Sequence, residues 1–145
     1  MRATGIILAA GRGERFGQDK VFAALHGLPV LVHSVRAFLA VKEVEELVVV
    51  ARPGTEFRVV SLLQDLDFPM RVVTGGVRRR DSSLAGVEAA QGKVVLIHDA
   101  ARPLVSPDLI RRVLSAAEEH GAAVPVLPVV DTLRYLENGF LRPEV

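Results

Sequence analysis

The chain has 145 residues, half of them apolar, with 18 lysines and arginines against 17 aspartates and glutamates and no cysteine. This length carries one domain with a true core, and the lack of cysteine excludes a disulfide framework, thiolate metal sites and a thiol nucleophile. A net charge of +1 excludes bulk-charge binding of nucleic acid, and no apolar run approaches the roughly 20 residues of a membrane helix.

The first predicted element is a strand over residues 5–9, reached directly from Met1-Arg2-Ala3-Thr4 with no signal-peptide core, so a cytoplasmic location is expected. It runs into Ala9-Ala10-Gly11-Arg12-Gly13-Glu14-Arg15, with Lys20 following. Small residues and glycines let the backbone approach a ligand, and successive amides can cradle phosphate oxygens. Arg15 and Lys20 would add a bidentate and a point charge, which suits a site that neutralises charge building on an attacked phosphorus. The loop lacks the Gly-Lys-Ser/Thr of a Walker motif, and Phe16 stands where a dinucleotide fingerprint needs its third glycine. A tight turn with solvated charges explains such a loop equally well by itself.

A helix over 29–39, a strand over 47–51, a helix over 55–66 and a strand over 71–74 follow, the strands nearly all apolar as in sheets buried on both faces. Next comes Thr74-Gly75-Gly76-Val77-Arg78-Arg79-Arg80-Asp81-Ser82. The double glycine exposes backbone groups that can read a base edge. Ser82, at the start of a helix predicted over 82–91, either caps it or faces a ligand, capping being the commoner role. Arg78 and Arg80 read as a solvated charge run. The strand over 94–98 ends in His98-Asp99-Ala100-Ala101-Arg102-Pro103. Asp99 there can hold Mg²⁺ against phosphates and Arg102 a phosphorylated acceptor, or the two simply close the turn as a salt bridge. His26, His33, His98 and His120 form no metal spacing.

Residues 107–120 read as an amphipathic helix, started by Ser106-Pro107 and stopped by Gly121, and residues 122–128 as a further strand. Alternating strands and helices predict an open, mostly parallel, Rossmann-like α/β sheet flanked by helices over residues 1–131, with ligands in the crevice beyond the carboxyl ends of the strands. Residues 132–145 read as a protruding β-hairpin arm turning on Asn138-Gly139, either solvated or packed on another subunit.

Four blocks carry a family resemblance: Leu8-Ala9-Ala10-Gly11-x-Gly13-x-Arg15 with Lys20; Thr74-Gly75-Gly76 through Arg79 and Ser82; His98 to Pro103; and Asp131-Thr132. The chain resembles the 2-C-methyl-D-erythritol 4-phosphate cytidylyltransferases, nucleotidyltransferases of the non-mevalonate isoprenoid pathway. The resemblance implies transfer of CMP from CTP to methylerythritol phosphate. Arg15 and Lys20 would act on the α-phosphate. Ala9, Ala10, Gly11, Gly13, Gly76, Ser82 and Ala101 would bind CTP. Asp99, Arg102 and Thr132 would hold the acceptor, with Asp99 also on Mg²⁺. It further implies a homodimer clasped by the β-arm, and a family that continues past Val145, so that the chain reads as an N-terminal portion. Val21 departs from the glutamine usual after the lysine, and the stretch from Arg15 to Lys20 is shorter than in many members. A molybdenum-cofactor guanylyltransferase, suggested by Gly17-Gln18-Asp19-Lys20, and a non-catalytic nucleotide-binding module are the alternatives.

Overall fold

The computed structural model describes residues 3–11, 19–131 and 134–141. Its centre is a four-stranded parallel sheet in the order β5-β4-β1-β6. The strands are β1 (Ala3–Ala9), β4 (Val44–Ala51), β5 (Met70–Thr74) and β6 (Val94–Asp99). β1 is paired on both sides, Ile7 with Val49 of β4 and with His98 of β6, and every one of its residues is buried. This is why its sequence is apolar without alternation. Two short strands, β2 (Ala24–Leu25) and β3 (Leu28–Pro29), form a small antiparallel pair before helix α1 (Val30–Leu39). The other helices are α2 (Glu56–Leu63), α3 (Arg79–Ala89) and α4 (Pro107–His120).

Alternate strand residues supply two unequal cores. On one face Ile7, Ala9, Leu47, Val49 and Ala51 meet Leu31, Val35 and Phe38 of α1, Val59 and Leu63 of α2, and Ile110 and Leu114 of α4. On the other, Ile6, Leu8, Val48 and Val50 meet Val73, Ala89 and Ala90 beside α3. α3 lies close to the sheet because Gly86 has no side chain: a Cβ there would stand 2.4 Å from Ile6 Cγ2 and 3.1 Å from Val50 Cγ2.

α4 has the predicted bounds. Ser106 Oγ accepts the Leu109 N–H at 3.1 Å, proline opens the first turn, and Gly121 ends the helix at φ 84°. α3 begins three residues before the predicted start, so Ser82 lies inside it and caps nothing. The capping carboxylate is Asp81, which accepts the Arg78 N–H at 3.1 Å. Among the described residues the tail hairpin is β7 (Leu136–Glu137) and β8 (Phe140–Leu141), with Asn138 and Gly139 at φ 52° and 83°.

The strand expected over 122–128 is not formed. Residues 122–130 have no ladder partner and are exposed, Val126 and Leu127 more than 80% so. A β-prone run becomes a strand only against another strand, and Pro125 and Pro128 carry no N–H to offer. Among the described residues β6 is therefore the sheet's edge. An apolar groove of about 910 Å³ lies along it, between β6, α4 and residues 121–125.

At the opposite, amino-terminal end of the sheet, Glu46 is buried yet fully tied. It accepts from Thr4 Oγ1 at 2.8 Å, from the Gln91 N–H at 3.0 Å, and from Arg71 Nη2. Burial pushes its carboxyl up, but these hydrogen bonds outweigh burial and hold it below the usual carboxylate range.

Candidate active site

Three turns leave the carboxyl ends of the strands and close on one cleft of about 430 Å³. Ala10 and Gly11 follow β1, Gly76, Val77 and Arg78 come from the β5–α3 connection, Arg79 and Ser82 from the first turns of α3, and Asp99, Ala101 and Arg102 from the end of β6 and the turn after it, with Lys20 and Val21 also lining the cleft. The location is where an open α/β sheet binds ligands.

Backbone bonds fix each turn to the sheet. Gly75 donates to the Ala51 carbonyl at 2.7 Å and Ala100 to the Leu8 carbonyl at 2.9 Å. The buried Ser34 hydroxyl of α1 reaches the Ala100 carbonyl at 3.0 Å, so α1 braces the acidic turn from below. His98 braces it from the side, with Nε2 3.0 Å from the Arg102 carbonyl and its ring tilted against Phe38. Burial holds the His98 pKa below the ordinary histidine value, against the raising effect of the Arg102 carbonyl and the Asp99 charge. The ring is neutral at pH 7 and serves as packing and hydrogen-bond material.

From the first turn of α3 the Ser82 hydroxyl reaches back to the β5–α3 connection, accepting the Gly76 N–H at 3.2 Å and lying 3.4 Å from the Gly76 carbonyl. Gly75 packs so closely that a Cβ would stand 2.7 Å from both Ala10 Cβ and Ser82 Oγ. The first and second loops thus touch through small residues, leaving a shallow wall of backbone edges.

Charged side chains complete the lining. Asp99 Oδ1 accepts from Arg79 Nη2 at 3.0 Å and Nε at 3.2 Å, and Oδ2 lies 3.4 Å from Arg102 Nε. Arg78 is tied to Asp81 at 3.0 Å, and that contact holds the Asp81 carboxyl below its usual range. Asp99 is the only carboxylate among the described lining residues, against Lys20, Arg78, Arg79 and Arg102. A cleft with this balance suits a multiply charged anion. One carboxylate suits Mg²⁺, which takes one or two from protein and fills its octahedron with phosphate oxygens and water.

Of the residues predicted from sequence, Ala10, Gly11, Lys20, Gly76, Ser82, Asp99, Ala101 and Arg102 line this one cleft. Ala9 ends β1 with its methyl in the larger core. Gly13, Arg15 and Thr132 lie outside the described residues. The salt bridge between Asp99 and Arg102 is formed, so that reading of the turn holds alongside any ligand role. Sequence reasoning missed Arg79 as a partner of Asp99. With the helix read as starting at residue 82, Arg79 falls before it; only with α3 beginning at Arg79 does a guanidinium in the first turn, opposed to the helix dipole, point to a partner elsewhere.

Known proteins match along nearly the whole chain. The family model described as IspD, 2-C-methyl-D-erythritol 4-phosphate cytidylyltransferase, matches residues 3–142. A bifunctional enzyme IspD/IspF of Anaeromyxobacter dehalogenans is 45% identical over 99% of this chain and 37% of its own length. A 2-C-methyl-D-erythritol 4-phosphate cytidylyltransferase of Acidobacterium capsulatum is 42% identical over 95% of this chain and 63% of its own length. Among solved structures, a 4-diphosphocytidyl-2C-methyl-D-erythritol synthase of Anaerococcus prevotii superposes with a TM-score of 0.85 at 26% identity, covering 96% of this chain and 62% of that one. The chain thus spans less than two thirds of the length of these relatives.

Proposed function

Since the chain belongs to the IspD family of 2-C-methyl-D-erythritol 4-phosphate cytidylyltransferases, we propose that it acts in transferring CMP from CTP to 2-C-methyl-D-erythritol 4-phosphate. The products are 4-diphosphocytidyl-2-C-methylerythritol and pyrophosphate. The observation that carries this reading is the cleft itself. Small residues and backbone edges at Ala10, Gly76 and Ser82 line it together with the cations Lys20, Arg79 and Arg102 and with one carboxylate, Asp99.

The chemistry needs little else. A phosphate oxygen of the acceptor attacks the α-phosphorus of CTP in line. The bond to the bridging oxygen breaks, and pyrophosphate leaves with the electron pair. No covalent enzyme intermediate is required, so the protein's work is positioning and charge neutralisation. In this reading the backbone of Ala9, Ala10 and Gly76, with Ser82, selects the pyrimidine edge. Gly11, Gly13 and Ala101 leave room for the triphosphate. Arg15 and Lys20 meet the negative charge that builds on the α-phosphate, while Arg102 and Thr132 hold the acceptor phosphate.

Asp99 would hold Mg²⁺, which when bound supplies a counter-charge shared between phosphate oxygens. Its carboxylate is released from Arg79 and Arg102 as their guanidiniums turn to phosphates, an exchange of one charge-assisted partner for another. The domain division belongs to the same proposal. Residues 1–131 form the catalytic unit and residues 132–145 an arm. Exposed Tyr135, Leu136, Phe140 and Leu141 on the hairpin support its packing on a second subunit as a homodimer. A cytoplasmic location goes with these soluble substrates, and no helix of the described residues is long and apolar enough to cross a membrane.

The test is pyrophosphate release with CTP or GTP, each with and without methylerythritol phosphate. Release that requires both CTP and the acceptor is expected. Release with GTP would favour the guanylyltransferase alternative, and the absence of both turnover and CTP binding would leave only a module that kept the fold.

A further inference from the structure

Lys20 sits on a single turn of 3₁₀ helix, Lys20–Phe22, and such turns are weakly self-supporting. A lysine's ammonium rides on four rotatable bonds, and the turn that carries it sets where that stem begins. Two of its anchors are apolar or aromatic: Val21 is buried in the larger core, and the Arg58 guanidinium lies 3.9 Å over the Phe22 ring. A further anchor is ionic. Asp19 occupies the N-cap position of the turn, a place where aspartate ordinarily bonds its own helix, yet its side chain makes no such bond. Instead Asp19 Oδ2 accepts from Arg52 Nη2 at 2.7 Å, across 33 residues of sequence.

Arg52 is a firm mount. It follows directly on β4, and its carbonyl accepts both the Thr55 N–H and the Thr55 hydroxyl at 2.9 Å. The ion pair is largely sheltered, with the two side chains 34% and 15% exposed. Arg52 is absent from the cleft lining among the described residues, and its link to the cleft there is through the neighbouring turn. Its charge matters as well as its grip. Asp19 adjoins Lys20, and without Arg52 its carboxylate would turn to the next cation or back onto the turn. Either way, negative charge would compete with phosphate for the lysine.

We propose that Arg52 is a positioning residue for phosphate binding: through Asp19 it orients the Lys20 turn and keeps the Asp19 carboxylate away from the Lys20 ammonium. This rests on the reading of the cleft as a CTP site, and the experiment separates the two. CTP binding with Mg²⁺ is measured by calorimetry for the chain and for Arg52→Ala, Arg52→Lys, Lys20→Ala and Arg52→Ala/Lys20→Ala, with melting curves for each. Absence of CTP binding to the unaltered chain would overturn the site itself and the inference with it. Given binding, Arg52→Ala is expected to weaken it on the order of tenfold, the scale of coupling between groups in one ionic network. Arg52→Lys should restore most of that loss, and the loss should vanish in the Lys20→Ala background. A loss that persists undiminished when Lys20 is already gone would show a general structural role and overturn the proposal, as would unchanged CTP affinity in Arg52→Ala. Arg52→Met, which keeps the aliphatic stem, replaces Arg52→Ala in the cycle if the alanine variant melts below the assay temperature.

Discussion

Asp99→Asn separates two roles that coexist in one side chain, the closing of a turn and the holding of a cation. The substitution keeps shape and removes one negative charge. Its stability cost follows from the contacts it weakens: the bond to Arg79 at 3.0 Å and the looser approach of Arg102 at 3.4 Å, both guanidiniums more than 60% exposed. Exposed pairs of this kind contribute about 0–1 kcal/mol each, and asparagine retains an acceptor oxygen. The variant should therefore lose about 1 kcal/mol or less, a fall in melting temperature of about 3 °C for a domain of this size. The functional cost should be far larger. A divalent ion bridging protein and triphosphate contributes several kcal/mol of charge stabilisation, so the magnesium-dependent gain in CTP affinity should fall by about 100-fold. The assay is CTP titration across a series of Mg²⁺ concentrations, beside a thermal melt. With the carboxylate gone, affinity without metal should hold or rise, because the cleft has lost its only described negative charge. If magnesium strengthens CTP binding to Asp99→Asn as much as to the parent, Asp99 is only a turn closure and the metal assignment fails.

Glu46→Ala removes the acceptor for Thr4, Gln91 and Arg71 at the far end of the sheet and should cost about 2–4 kcal/mol by chemical denaturation. Because Glu46 is held below the ordinary carboxylate range when folded, its contribution is complete above about pH 4.3 and drains away as pH falls through the lowered folded value. The stability gap between parent and variant should accordingly narrow on acidification; a gap that widens would refute the assignment. Gly86→Ala drives a methyl to 2.4 Å from Ile6 Cγ2, and urea unfolding should show a loss of about 1–3 kcal/mol, whereas an alanine gain typical of a helix interior would mean that α3 can lift off the sheet without penalty. Phe140→Asp on the exposed hairpin should shift sedimentation toward monomer without changing the melting of the α/β unit; an unchanged sedimentation profile would remove the arm from the interface.

The sequence by itself determined the layered α/β architecture, because strands buried on both faces must be apolar throughout and amphipathic helices must lie between them. It determined α4 to the residue, because Ser106, Pro107 and Gly121 act on their own turns and need no distant partner. It also determined which three loops would meet, since parallel strands deliver all their carboxyl ends to one edge. Only the tertiary structure decided what depends on a partner far along the chain. Residues 122–128 have strand composition but no strand beside them. Ser82 lies one turn inside α3, held to Gly76, because Asp81 does the capping. Arg79 finds Asp99 across 20 residues and Arg52 finds Asp19 across 33. Side chains of that kind read as solvated charges in any local window, and it is the juxtaposition of strand ends that gives them their partners.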